Sequence, residues 1–82
     1  NDIDGTDAGL APSTGAPEPG GLSQESVKSL IGRLGDSWDL IGADLVEVAP
    51  PIGSAEDSRR TLSLAVDYLL ASLRALLGTA AT

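Results

Sequence analysis

Two carboxylates stand one residue apart in Asn1-Asp2-Ile3-Asp4. Side chains alternate sides along an extended backbone, so Asp2 and Asp4 share a face. Like charges held this close repel unless a cation lies between them, and hard divalent cations take oxygen ligands. The pair is a metal-site candidate, to be weighed against the commoner case of two solvated turn acids. A calcium loop of the EF-hand type would also start with Asp2, Asp4 and Asp7, but it needs Gly at its sixth position and Glu at its twelfth. Asp7 and Ser13 stand there instead, so that loop fails.

The rest of the chain supplies few partners for the pair. There is no histidine, which removes the commonest nitrogen ligand and the usual general base near neutral pH. There is no cysteine, which excludes thiolate sites and disulfides, and nothing argues for an oxidising compartment. Twelve acids against five bases give a net charge of −7, which argues against nucleic acid or an anionic membrane surface as the main partner. No apolar run is long enough to span a bilayer, and the start lacks the layout of a signal peptide. Eighty-two residues make at most one small domain. The first residue is Asn rather than Met, so the chain is expected to be a processed or partial piece of a longer one.

The elements that must position the pair follow from patterning. Glycine and proline crowd residues 5–22, which rules out a continuous helix or strand there. Loops of that length in a compact domain are usually functional or disordered. Ser23 is a suitable N-cap, with Leu22 and Val27 at the two positions of a hydrophobic staple. Val27, Leu30, Ile31 and Leu34 recur at helical spacing and predict a helix over 23–34, with Gly35 at its left-handed end. The apolar run within 39–48 is rich in branched residues and predicts a buried parallel strand, stopped by Pro50-Pro51. Ser54 and Asp57 form a capping-box pattern before a helix over 55–77 that Gly78 ends. Leu62, Val66, Leu69, Leu73, Leu76 and Leu77 are expected to form its core face, and the tail 79–82 to fray. With residues 1–4 as a strand end, the order is a βαβα unit with a right-handed crossover. Two strands are too few for an independent sheet, so the unit is expected to belong to a larger α/β sheet.

Longer motifs sharpen the chemistry. Asp2-Ile3-Asp4, the Pro12-Ser13-Thr14 step and Ala16-Pro17-Glu18-Pro19-Gly20-Gly21-Leu22 together resemble the ureohydrolase signature of arginases and agmatinases. Gly42-Ala43-Asp44-Leu45-Val46-Glu47-Val48-Ala49-Pro50 is similar to the strand and loop that carry the family's substrate-side glutamate. The likeness covers nearly all of residues 1–78 and is the more agmatinase-like in its Pro-Glu-Pro-Gly-Gly and Val-Glu-Val-Ala-Pro stretches.

The resemblance implies an α/β fold, with this chain as the βαβα C-terminal portion of a three-layer α/β/α arginase-like fold built on a parallel sheet. It implies a centre of two Mn2+ ions, with Asp2 matching the bridging carboxylate and Asp4 a carboxylate on one ion. Glu47 matches the acid that pairs with a guanidino substrate, an agmatine-like compound cleaved to an amine and urea. A planar, permanently charged guanidinium suits a carboxylate that accepts two parallel hydrogen bonds. It also implies a cytoplasmic protein that is a homo-oligomer when full length. Arginase, guanidinobutyrase and formimidoylglutamase remain open within the family.

Three positions depart from the pattern: Ala16 replaces a common Thr or Ser, Ala8 a common Pro, and Asn1 an apolar strand residue. The family's remaining metal ligands, its histidines included, lie upstream of these motifs, so the chain alone is expected to be inactive. A non-catalytic interaction segment is the competing reading. Plainer roles are expected for other residues: Asp44 as a hydrogen-bonded structural acid, Asp7 and Glu18 as turn or capping acids, Trp38 as a gap-filler at the strand entrance. Arg59, Arg60 and Arg74 are read as a solvated helix face or ion pairs.

Overall fold

A computed structural model of the chain describes residues 1–78, so the expected fraying of residues 79–82 lies outside the described part. Two helices dominate: α1, Gln24–Ser37, and α2, Ala55–Leu77. Their start signals are local. The Ser23 side chain accepts from the Ser26 amide, and Ser54 and Asp57 close a reciprocal capping box. Gly78 ends α2 in the left-handed conformation with φ 71°, which a residue without a β-carbon adopts at little cost.

Gly35 does something other than end a helix. α1 runs on to Ser37, with Trp38 as its C-cap. A β-carbon at Gly35 would lie 2.8 Å from the Ala75 Cβ and 3.1 Å from its Cα. The glycine lets α1 approach the backbone of α2, a packing role with the same residue type as a C-cap.

The expected strands do not form a ladder. Among the described residues the parallel pairing is limited to isolated bridges: Asp2 with Val46, Thr6 with Leu22, and Asp7 with Glu18. Ile3–Gly5 is a single 3-10 turn rather than a strand end. Within 39–48, only Val46 makes the bridge, and Ile41 is fully exposed. A strand is defined by hydrogen bonds to neighbours, and this segment meets neighbouring backbone on one side only, at Asp44 and Val46. The βαβα pattern is therefore not realised within these residues.

The core face of α2 also differs from expectation. Thr61, Leu64, Ala65, Tyr68 and Ala75 are buried, whereas Leu62, Val66, Leu69, Leu73 and Leu77 are exposed and Leu76 is intermediate. The core gathers Ile3, Ala11, Val27, Leu64, Ala65 and Tyr68, with Ile31, Leu45 and Val48 packed against it. Small and hydroxyl-bearing residues on α2 face inward because the Gly-Pro loop and α1 lie close against that side. Trp38 is 68% exposed and fills no gap, and the Asp44 side chain is exposed as well.

Candidate metal and substrate site

The segment carrying Asp2 and Asp4 is anchored from below. Ile3 is fully buried, and its amide donates to the Val46 carbonyl at 3.2 Å. The Val46 amide donates to the Asn1 carbonyl at 3.0 Å. This exchange ties the residues flanking Asp2 to the residue preceding Glu47, so positions some 45 apart in sequence meet. Thr6 locks the turn from its other end: its Oγ1 lies 2.6 Å from the Tyr68 Oη in a buried hydrogen bond with α2.

Asp2 remains exposed, and its Oδ1 accepts from the Asp4 amide at 3.1 Å. The Asp4 carboxyl is raised above its ordinary value. The nearby Asp2 carboxyl, with which it can share a proton, is the main cause. Partial desolvation follows, and then the negative charges of Asp2, Glu47 and Glu18. Mutual repulsion among carboxylates is the electrostatic state that a cation relieves. The structure thus brings Asp2, Asp4 and Glu47 into one electrostatic neighbourhood.

The donor chemistry fits a divalent cation, but the donors are too few to enclose one. Among the described residues no group of three or more His, Cys, Asp or Glu side chains is arranged to hold a metal ion. Two carboxylates would provide one side of a coordination shell that takes six or more oxygens for the larger hard cations.

Glu47 sits on an unusual backbone. Its φ of 70° is in the left-handed region, the one such value at a non-glycine among the described residues. Residues other than Gly and Asn adopt this conformation at a cost, and such strain collects at functional sites. The turn redirects the chain between Val46, fixed by its bridge, and Ala49, whose amide donates to the Ser13 carbonyl at 2.9 Å.

The loop over 5–22 is held by its acids and its small residues. Asp7 accepts from the Gly9 amide at 3.0 Å and from the Gly20 amide at 2.8 Å, closing both ends of the loop. The Ala8 amide donates to the Glu18 carbonyl at 3.0 Å. Arg60 donates to the Gly9 carbonyl and pairs with Asp57, both at 2.9 Å, while Arg59 pairs with Glu56. Ser13 and Thr61 are both fully buried, and although Ser13 lies within a motif, no motif points to Thr61 or to a contact between the two. Their type carries no helical or strand signal, and only the chain trace shows them meeting. Thr14 Oγ1 is buried without a hydrogen-bond partner among the described residues.

Residues 1–73 match the model of the arginase family. The chain belongs to that family. It is 42% identical over 64 residues to the N(1)-aminopropylagmatine ureohydrolase of Synechocystis sp., a match covering 78% of this chain and 21% of that protein. It is 54% identical over 50 residues to the guanidinobutyrase of Pseudomonas aeruginosa, covering 61% of this chain and 15% of that protein. The agmatinase of Chromobacterium violaceum is 46% identical over 55 residues, covering 67% and 17%. Among solved structures, arginase from Bacillus subtilis superposes with a TM-score of 0.63 at 32% identity, over 84% of this chain and 24% of that one. The fold is therefore a portion of the α/β arginase fold. The chain spans about a fifth or less of the length of these curated relatives.

Proposed function

We propose that these residues are the C-terminal part of a manganese-dependent ureohydrolase that hydrolyses a guanidino compound, agmatine-like, to an amine and urea. The observation that carries the reading is the Asp2–Val46 bridge, which sets the Asp2–Asp4 segment beside the residue preceding Glu47 in a chain that matches the arginase family. The names of the relatives support the substrate class, since the Synechocystis, Pseudomonas and Chromobacterium proteins are called after guanidino compounds.

In this reading Asp2 and Asp4 hold the metal side, and Glu47 receives the substrate guanidinium through two charge-assisted hydrogen bonds. A pair of divalent ions supplies Lewis-acid activation of water when bound. Asp2 and Asp4 contribute negative oxygens on a turn that Ile3 and Thr6 fix from beneath. Glu47 contributes orientation, holding the planar cation edge-on. The remaining ligands would come from residues outside these 82, and the whole protein would be cytoplasmic and homo-oligomeric.

The test is release of urea with Mn2+ present. The 82-residue chain is expected to give none from agmatine, arginine or guanidinobutyrate, while the full-length protein is expected to turn over at least one of them. Turnover by the short chain alone would contradict the division of ligands proposed here.

A second reading, a non-catalytic interaction segment, is favoured by the open stripe of Leu62, Val66, Leu69 and Leu73 on α2. A full-length protein that binds no manganese and releases no urea would favour it.

A further inference from the structure

Ser13 joins three parts of the molecule at one point. Its amide donates to the Thr61 Oγ1 at 3.0 Å, its hydroxyl donates to the Ile52 carbonyl at 2.6 Å, and its carbonyl accepts from the Ala49 amide at 2.9 Å. Thr61 completes the junction by donating its own hydroxyl to the Asp57 carbonyl at 2.8 Å, one turn back along α2. Both residues have no exposed surface. Every polar group of Ser13 is therefore spent on contacts to residues 48 to 36 or so positions away, two of them in the segment just after Glu47.

That segment needs a support. Glu47 holds a left-handed φ of 70°, and strain of this kind persists only where flanking structure over-determines it. On the N-terminal side the Val46 bridge to Asn1 and Ile3 provides one fixed point. On the C-terminal side Ala49 and Ile52 are fixed through Ser13, and Ser13 through Thr61 to the longest helix. We propose that Ser13 and Thr61 are positioning residues, a buried clamp that holds the Glu47 turn at a set distance and orientation from the Asp2–Asp4 segment. The clamp rests on the reading of Glu47 as the group that receives a guanidinium.

Two measurements on the full-length protein test it. The first is hydrogen exchange of residues 45–52 in Ser13→Ala and Thr61→Val. Exchange there is expected to quicken about tenfold, with α1 and α2 unchanged, because a local opening loses its tie to the helix. The second is steady-state kinetics on agmatine and guanidinobutyrate. KM is expected to rise about tenfold, with kcat and bound manganese per protomer little altered, the pattern of lost substrate binding. Thr61→Ser, which keeps the hydroxyl, is expected to restore both values.

Unchanged exchange at 45–52 overturns the clamp. So does a rise in KM accompanied by falls in kcat and metal content that Thr61→Ser leaves in place, since that is general loss of structure. A wild-type protein that releases no urea from any guanidino substrate overturns the functional reading, and with it the clamp's substrate role. Such a result is distinct from an active wild type whose variants leave KM unmoved.

Discussion

Glu47 concentrates the conflict between stability and activity in one backbone angle. Its left-handed conformation costs about 1 kcal/mol or more for a residue with a β-carbon. Glu47→Gly removes that cost and is expected to stabilise the fold by about 1 kcal/mol in urea unfolding. The same variant is expected to lose guanidino-substrate turnover, because no other carboxylate takes its place on the turn. A stability loss on Glu47→Gly would show that the angle is not strained.

Asp4 presents the same tension in charge. Its carboxyl is raised by Asp2 first, then by desolvation and the charges of Asp2, Glu47 and Glu18. Asp4→Asn removes one of the repelling charges. The metal-free protein is expected to melt at a higher temperature, while manganese uptake measured by metal analysis falls. Equal melting temperatures with manganese uptake retained would remove Asp4 from the site.

At the scale of elements, two glycines of α1 make opposite predictions. Glycine inside a helix is worth about 1 kcal/mol less than alanine. Nothing lies within 4 Å of a β-carbon built on Gly32, so Gly32→Ala is expected to stabilise by up to about 1 kcal/mol. At Gly35 the added carbon meets the Ala75 Cβ at 2.8 Å and its backbone beyond, neither of which is a flexible side-chain end. Overpacking there costs about 1–3 kcal/mol, which outweighs the gain in propensity. Gly35→Ala is therefore expected to destabilise, and thermal unfolding of the two variants side by side decides the matter.

The two helices are also tied by charge. Lys28 of α1 reaches Asp67 of α2 at 2.9 Å, and Gln24 donates to the same carboxylate. The bond to Lys28, then that to Gln24, lowers Asp67 below its ordinary value of 3.8, against the opposing effect of burial. The folded state thus binds this proton less readily than the unfolded chain. The stabilisation is present above 3.8 and is lost as pH falls through 3.8 toward the lower folded value. The pair is partly exposed and screened, so its worth is below about 1 kcal/mol. Urea unfolding of wild type and Asp67→Asn is expected to differ at neutral pH and to converge well below 3.8. A gap that widens on acidification would contradict the pairing.

For the molecule as a whole, the apolar surface is larger than the chain can bury on itself. Leu62, Val66, Leu69 and Leu73 are each 41–56% exposed along one stripe of α2, and Ile41 is fully exposed. The extended segment before Val46 has no ladder partner among the described residues. In the 82-residue chain, amides of residues 40–45 are expected to exchange nearly as fast as in an unstructured peptide, while those of Leu64 to Tyr68 are protected. Slow, cooperative exchange over 40–45 would mean that the segment is structured without further strands.

The division between sequence and tertiary structure follows the range of the forces involved. Helix starts were legible because a cap such as Ser23 or the Ser54–Asp57 box acts within four residues. Family membership was legible for a similar reason, since Asp2-Ile3-Asp4 and the Glu47 segment keep their local motifs. Other features depend on contacts between distant parts. A leucine stripe at helical spacing marks an apolar face, but only the packing of α1 and the Gly-Pro loop decided that α2 turns Thr61, Ala65 and Tyr68 inward instead. Gly35 reads as a helix end until Ala75 is seen against it. The run over 39–48 has the composition of a strand buried inside a sheet, yet such a strand needs neighbouring strands to pair with, and composition cannot supply them. Asp2, Asp4 and Glu47 were singled out by sequence. That they share one electrostatic neighbourhood, with Glu47 on a left-handed turn clamped by Ser13, was decided by hydrogen bonds spanning tens of residues.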